Sequence, residues 1–298
     1  MDKFETLQLF TRIVELGSFS RAADQLGIPR ATASNAIKQL EKNLQSRLLE
    51  RTTRYVRTSQ DGQAFYERCT QILSELEDAE SSLKNVITRP YGRLRVDLSG
   101  AQATRIVLPH IDDFHRSYPE IELVISSGDR LVDLVREGID CVIRAGHLED
   151  SSLVAKHLVD VPQVICASPD YLEQYGIPQH PKELNQHYCV NFFSVTGGRY
   201  YPIELQENGK IQDYFLKSWI AVNDAENYVL CALRNMGLIQ VPRYHVLDQL
   251  KNGQLIEVLL SWKSPDMSIS VLYPQHRQLS PRVSVFVEWL SRLYGNFL

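Results

Sequence analysis

The sequence predicts an N-terminal winged helix-turn-helix, mainly α, followed by a long dimerisation helix and an α/β domain of two lobes. Three observations carry this expectation. Two short amphipathic segments flank a Gly-Ile-Pro break at 27–29, apolar residues repeat at spacings of four and three from Phe65 to Val86, and strand and helix patterns alternate after Gly92.

Phe4, Leu7, Phe10, Ile13 and Val14 recur at helical spacing, which predicts a first helix ending near Gly17. A second is expected from a Ser18 or Ser20 cap through Ala22, Ala23 and Leu26 to Gly27. Pro29 suits the first turn of a third, with Ala33, Ile37, Leu40 and Leu44 inward. Its outward face then carries Arg30, Thr32, Ser34, Asn35 and Lys38, side chains able to bond base edges and phosphates in a major groove. The run ERTTRYVRTSQDG alternates as a β-wing should, with Arg51, Arg54 and Arg57 placed to meet a phosphate backbone.

Charge agrees with a polyanion partner met at one end. Residues 1–60 carry ten Lys and Arg against six Asp and Glu, so this part is +4 and the remainder −8 in a chain of net charge −4.

The four-three repeat runs through Phe65, Cys69, Ile72, Leu76, Ala79, Leu83 and Val86. At about 1.5 Å per residue such a helix reaches roughly 40 Å, more than a small winged domain can cover. A dimerisation seam through Phe65, Cys69, Ile72, Leu76 and Leu83 is therefore expected.

Pro90 and Gly92 mark a hinge. GRLRVDLSG, IELVISS and DCVIRAG read as strands, RIVLPHIDDFHRSYP and RLVDLVREG as the helices between them, an order that predicts a parallel sheet wrapped by helices. QVICAS, WIAVN and GLIQV are strand candidates of a second lobe, with DAENYVLCALRNM as a helix; SISVLYP and the helix SPRVSVFVEWLSRLYG return to the first. The expected domains are 1–60, 61–90 and 91–298, with lobe I at about 91–161 and 268–298 and lobe II at about 162–267.

Two lobes make a cleft, and ligands gather beyond the carboxyl ends of strands. Reading the strands to their ends gives Ser99 and Gln102, Ser127 and Asp129, Arg144 and Gly146 on one side, and Asn191, Asn223 and Asp224 on the other. Arg144 is the cation of this set, so a small organic anion is expected, unless a carboxylate such as Asp129 or Asp140 holds Arg144 in a structural pair.

Other chemistries find less support. HIDDFH places His110 and His115 five apart, which does not put them on one helix face as a metal pair requires, and no metal or cofactor is expected. GxSxG, Walker and GxGxxG patterns are absent, so no enzyme is predicted. The five cysteines are scattered, without a CxxC pair, as expected of buried free thiols. MDKFETLQLF lacks the order of a signal peptide and no apolar run is long enough for a bilayer, which predicts a cytoplasmic protein with no membrane partner. The missing signal peptide and the basic N-terminal tri-helix argue against the alternative of a solute-binding protein without DNA function.

Over essentially its whole length the chain resembles the LysR-type transcriptional regulators. The N-terminal run from LQLFTRIVELGSFSRAADQLGIPR to TTRYVRTSQDG is similar to that family's winged helix-turn-helix, and YPEIELVISSGDRLVDLVREGIDCVIRAG, DSSLVAKHL and ICASPDYL resemble a subgroup of its periplasmic-binding-protein-like effector domains. The resemblance implies a homotetramer, built as a dimer of dimers, that binds a pseudo-palindromic site in double-stranded promoter DNA, meets RNA polymerase and responds to a small molecule in the cleft. Arg30, Ala31 and Asn35 depart from the family's usual recognition residues, and Gln45 stands where glycine is usual.

Overall fold

The structure, a computed structural model, describes residues 1–51, 56–83, 90–128, 134–146, 153–193, 198–274 and 279–296. The chain divides into two units, Met1–Gly92 with Asp133–Gly138, and Arg93–Val132 with Ile139–Leu298.

In the first unit α1 (Lys3–Leu16) opens on a capping box: the Asp2 carboxylate accepts from the Glu5 amide and the Glu5 carboxylate from the Asp2 amide. It closes on Gly17, whose φ of 59° favours a residue without a side chain. The Ser18 hydroxyl caps α2 (Phe19–Gln25), and α3 (Arg30–Leu44) starts after Pro29 without a side-chain cap. Leu9, Phe10, Ile13, Ala22, Ala23, Ala33 and Ile37 are fully buried and form one core. Strands β1 (Leu49–Arg51) and β2 (Val56–Thr58) pair antiparallel as the wing. The Glu41 carboxylate on α3 accepts from the amides of Leu48 and Leu49 at 2.9 and 3.0 Å, tying the wing to the third helix.

Helix α4 (Gln60–Leu83) is 24 residues long. Its first half belongs to the domain core: Cys69 is buried at 1% exposure, with Phe65, Tyr66 and Leu73 packed against the same cluster. Gly62 permits the approach, since a Cβ there would stand 1.8 Å from the Leu48 carbonyl oxygen.

The second unit contains two lobes. Lobe I has β3 (Gly92–Leu98), α5 (Gly100–Gln102), a π-helical turn at Ala103–Val107, a 3-10 turn at Leu108–His110, α6 (Ile111–Ser117), β4 (Ile121–Ser127), α7 (Leu134–Glu137, clustered with the first unit), β5 (Cys141–Ala145) and β6 (Leu153–Val161). Lobe II follows with β7 (Gln163–Ala167), α8 (Pro169–Tyr175), β8 (Asn191–Phe193), β9 (Tyr200–Tyr201), β10 (Ile203–Glu207), β11 (Lys210–Tyr214), β12 (Ala221–Val222), α9 (Ala225–Leu233), β13 (Ile239–Pro242), α10 (Leu247–Lys251) and β14 (Ile256–Val258). The chain then returns as β15 (Met267–Pro274) and α11 (Pro281–Gly295).

The lobe I sheet has the order β4-β3-β5-β15-β6. β3 and β5 are parallel, as a crossover connection makes them, but β15 runs antiparallel to both β5 and β6. The sheet is thus mixed rather than parallel, because β15 arrives from the other lobe instead of through a crossover helix. In lobe II the β13-β7-β14 sheet is antiparallel throughout. Phe114, Phe286 and Trp289 join the helices over the lobe I sheet, their ring centroids 5.2–5.6 Å apart.

The amphipathic helix expected over 105–119 is broken into π, 3-10 and α pieces. Pro109 explains the break: it has no N–H for the carbonyl of Arg105 four residues earlier and its ring crowds that carbonyl, so the turn before it widens. In HIDDFH, Arg116 holds Asp112 at 2.7 Å and the Trp289 indole donates to Asp113 at 3.2 Å. Among the described residues no three His, Cys, Asp or Glu are grouped to hold a metal, and no helix is long and apolar enough to cross a membrane. All five cysteines are free and buried.

Candidate DNA interface and effector site

Helix α3 buries Ala33, Ile37 and Leu40 and turns Arg30, Thr32, Asn35 and Lys38 outward to water; Ser34 is half-buried. Arg30 pairs with Asp24 at 3.1 Å, but both side chains are more than 60% exposed. Such a pair contributes little and can be exchanged for a phosphate or a base. The chain departs from αR at Gln45, with φ 51°. Exposed Lys42 and Arg47, which sequence reasoning did not single out, extend the surface along and beyond the same helix, and Ala31 is exposed on it too. The sequence placed Arg51 and Arg54 on the wing: Arg51 ends β1, its side chain outside the described residues, as is the whole of Arg54. Arg57 on β2 is exposed.

Of the seam residues, Ile72 is 45% exposed and Leu76 partly so. Phe65 and Cys69 are used inside the domain, which corrects their place on an open seam: the first two turns of α4 must cover the core before the helix can offer a face elsewhere. The Leu83 side chain lies outside the described residues.

In the second unit the Ser99 hydroxyl caps α5 by accepting from the Gln102 amide at 3.3 Å, and the Asp224 carboxylate caps α9 by accepting from Asn227 at 2.9 Å. α5 packs against α9, so these helix starts bring the two lobes together. Asn223, half-buried, directly precedes that cap. Ser127 is exposed at the end of β4, and Gly146 follows β5 at φ 94° with its N–H on Ser268. Asn191 opens β8 and accepts from the Cys189 thiol at 3.4 Å. Asp129 lies outside the described residues.

Arg144 does not serve as a free cation. Its guanidinium lies 2.5 Å from the Asp97 carboxylate, which is 5% exposed and also accepts from Ser126 at 2.6 Å. The structural-pair alternative thus holds, with a partner on β3 that the sequence did not single out.

Gln102 is fully buried, and among the described residues neither its amide oxygen nor its nitrogen has a hydrogen-bond partner. Three residues on, Arg105 in the π turn reaches Glu226 of α9 across the lobes at 3.5 Å, while its Nε is buried and without a partner among the described residues. His245, 7% exposed, has two ring nitrogens that find no partner among the same residues; burial, and then the Arg105 charge, push its pKa down to about 3. Sequence reasoning missed Arg105 and His245. A proline four residues after an arginine, inside an otherwise helical run, was the available signal for the first.

Two family models divide the chain between them: the bacterial regulatory helix-turn-helix protein, lysR family, matches residues 4–63, and the LysR substrate binding domain matches 88–294. The chain belongs to the LysR family of transcriptional regulators. This LysR-type regulator is 38% identical to the Escherichia coli HTH-type transcriptional regulator YhjC over the full length of both chains. It is 35% identical to an HTH-type transcriptional repressor of Pseudomonas aeruginosa, covering 99% of this chain and 93% of the other. The structure of CrgA, a LysR-type regulator from Neisseria meningitidis, matches with 30% identity and a TM-score of 0.60, over 99% of this chain and 100% of that one. This LysR-type regulator is accordingly a DNA-binding regulator of transcription that carries a substrate-binding domain.

Proposed function

We propose that the protein binds promoter DNA as a homotetramer, a dimer of dimers, and alters its hold on that DNA and its contact with RNA polymerase when a small organic anion enters between its lobes. It does so in the cytoplasm, as a regulator rather than a catalyst. The outward face of α3 carries this reading: Arg30, Thr32, Asn35 and Lys38 are exposed on a helix whose opposite side buries Ala33, Ile37 and Leu40, with Leu44 exposed at its end, and Ser34 borders them. Set in a major groove, that face reads bases, while Arg51 and Arg54 of the wing contact phosphates. Self-association through the outer part of α4, from Ile72 and Leu76 onward, would present two such faces to a pseudo-palindromic site.

The test compares Asn35→Ala and Arg54→Ala on an operator duplex and on a random one. Loss of a base contact costs about 1–3 kcal/mol on the operator alone, whereas loss of a phosphate contact weakens both duplexes alike. Equal losses on the two duplexes for Asn35→Ala would remove α3 from the groove.

A further inference from the structure

The expected cation of the cleft, Arg144, is already neutralised by Asp97. Arg105 is a different case. It sits in a π-helical turn that Pro109 forces open, and such turns recur where a side chain must be re-aimed at a functional position. Among the described residues its one carboxylate contact is loose, 3.5 Å to Glu226, whose side chain is 51% exposed. The Nε–H beside that contact is buried and bonded to nothing among the described residues.

Around it the orphaned groups accumulate. Gln102, one turn earlier on the same run, is fully buried with both ends of its amide unpaired among the described residues, and His245 has two buried ring nitrogens likewise unpaired among them. A buried donor or acceptor without a partner costs about 1–3 kcal/mol. Three such residues at the meeting of two lobes are the pattern of a site whose partner comes from outside the chain. A guanidinium with an open Nε–H offers, with its neighbouring terminal nitrogen, the side-on fork that fits the two oxygens of a carboxylate. Gln102 and His245 supply further donors.

We infer that Arg105, together with Gln102 and His245, is the anion-reading centre of the effector site, and that the effector it selects carries a carboxylate which displaces Glu226 from the guanidinium. This deepens, and rests on, the reading that a small molecule enters between the lobes. Glu226 is then a competitor with the ligand, a role that a purely structural lobe-to-lobe bridge does not have.

The full-length protein is titrated with acetate, succinate and benzoate, and with the matching amides, following melting temperature and calorimetric affinity for wild type, Arg105→Gln, Glu226→Gln and Asn223→Ala. At least one carboxylate should stabilise wild type and its amide should not. Arg105→Gln should weaken that carboxylate roughly tenfold to a hundredfold, the range of one charge-assisted bond. Glu226→Gln, changing an exposed side chain that leaves the fold intact, should tighten it. The inference is overturned if amides stabilise as well as carboxylates, if no carboxylate stabilises, or if Glu226→Gln weakens binding. Binding that survives Arg105→Gln but is lost in Asn223→Ala overturns the carboxylate centre and leaves the interlobe site standing; binding that survives both removes the interlobe site as well.

Discussion

Arg144 on β5 and Asp97 on β3 form a nearly buried ion pair at 2.5 Å, between side chains 16% and 5% exposed. Removing one partner of such a pair leaves the other charge stranded, at a cost of about 3–5 kcal/mol, whereas replacing both by apolar residues of similar size is close to neutral. Asp97→Leu should therefore lower the urea midpoint sharply, and Asp97→Leu with Arg144→Met should recover most of the loss. A double variant no more stable than the single one would mean that the pair contributes more than mutual neutralisation.

His245 gives stability a pH dependence of known sign. Its pKa is lowered in the folded protein, so below about 6.5 the unfolded chain takes up a proton that the folded chain refuses. Its contribution is fully present above the unfolded value and is lost as pH falls from there toward the folded one. The melting temperature should fall between pH 7 and pH 5, and His245→Leu should flatten that fall. An equal slope in the variant would assign the acid sensitivity to other groups, such as His187, also lowered by burial.

Gln45 holds the left-handed conformation at the end of α3, φ 51°, where its side chain is exposed. Glycine takes that conformation without the steric cost of a Cβ. Gln45→Gly is expected to raise stability by about 0.5–1 kcal/mol in chemical denaturation, with affinity for DNA unchanged.

Ile72 is an exposed apolar residue of α4, next to Leu73, which packs on the same core as Cys69. A charge at Ile72 stays in water in the single chain but is buried unpaired in a helix-to-helix interface. Ile72→Asp should fold normally by circular dichroism and sediment as a smaller species. A wild-type sedimentation profile would place self-association elsewhere.

The N-terminal unit was legible in the sequence because its signals are local. Gly17, Ser18 and the three-four spacing of Phe10, Ile13, Ala33 and Ile37 act within a turn or two of chain, and each appears where the pattern puts it. Lobe II was harder. The hairpin β10–β11 is hard to read although Asn208-Gly209, at φ 51° and 76°, is a strong two-residue turn signal, because β11 is polar and largely exposed and only Ile203 and Leu205 of β10 are buried. The candidate site is legible by position rather than by charge. Strand ends pointed to Ser99, Gln102 and Asn223, but the partner of Arg144 stands 47 residues away and the Glu226 contact of Arg105 spans 121. No spacing rule reaches that far.

The pairing of Val161 with Met267 brings the last residue of β6 beside the first of β15, so the whole of lobe II leaves and re-enters lobe I at a single rung. In terms of chain path the second lobe is a loop inserted between two adjacent strands of one sheet. Cutting at that rung and rejoining β6 to β15 through a two-residue hairpin would keep all five strands, with Tyr244, among the described residues, the one side chain that lobe II lends to the lobe I core. The lobe that receives the ligand's far side can thus be exchanged for another as a unit, which gives a lineage of such regulators a way to acquire new signals while leaving the first sheet untouched.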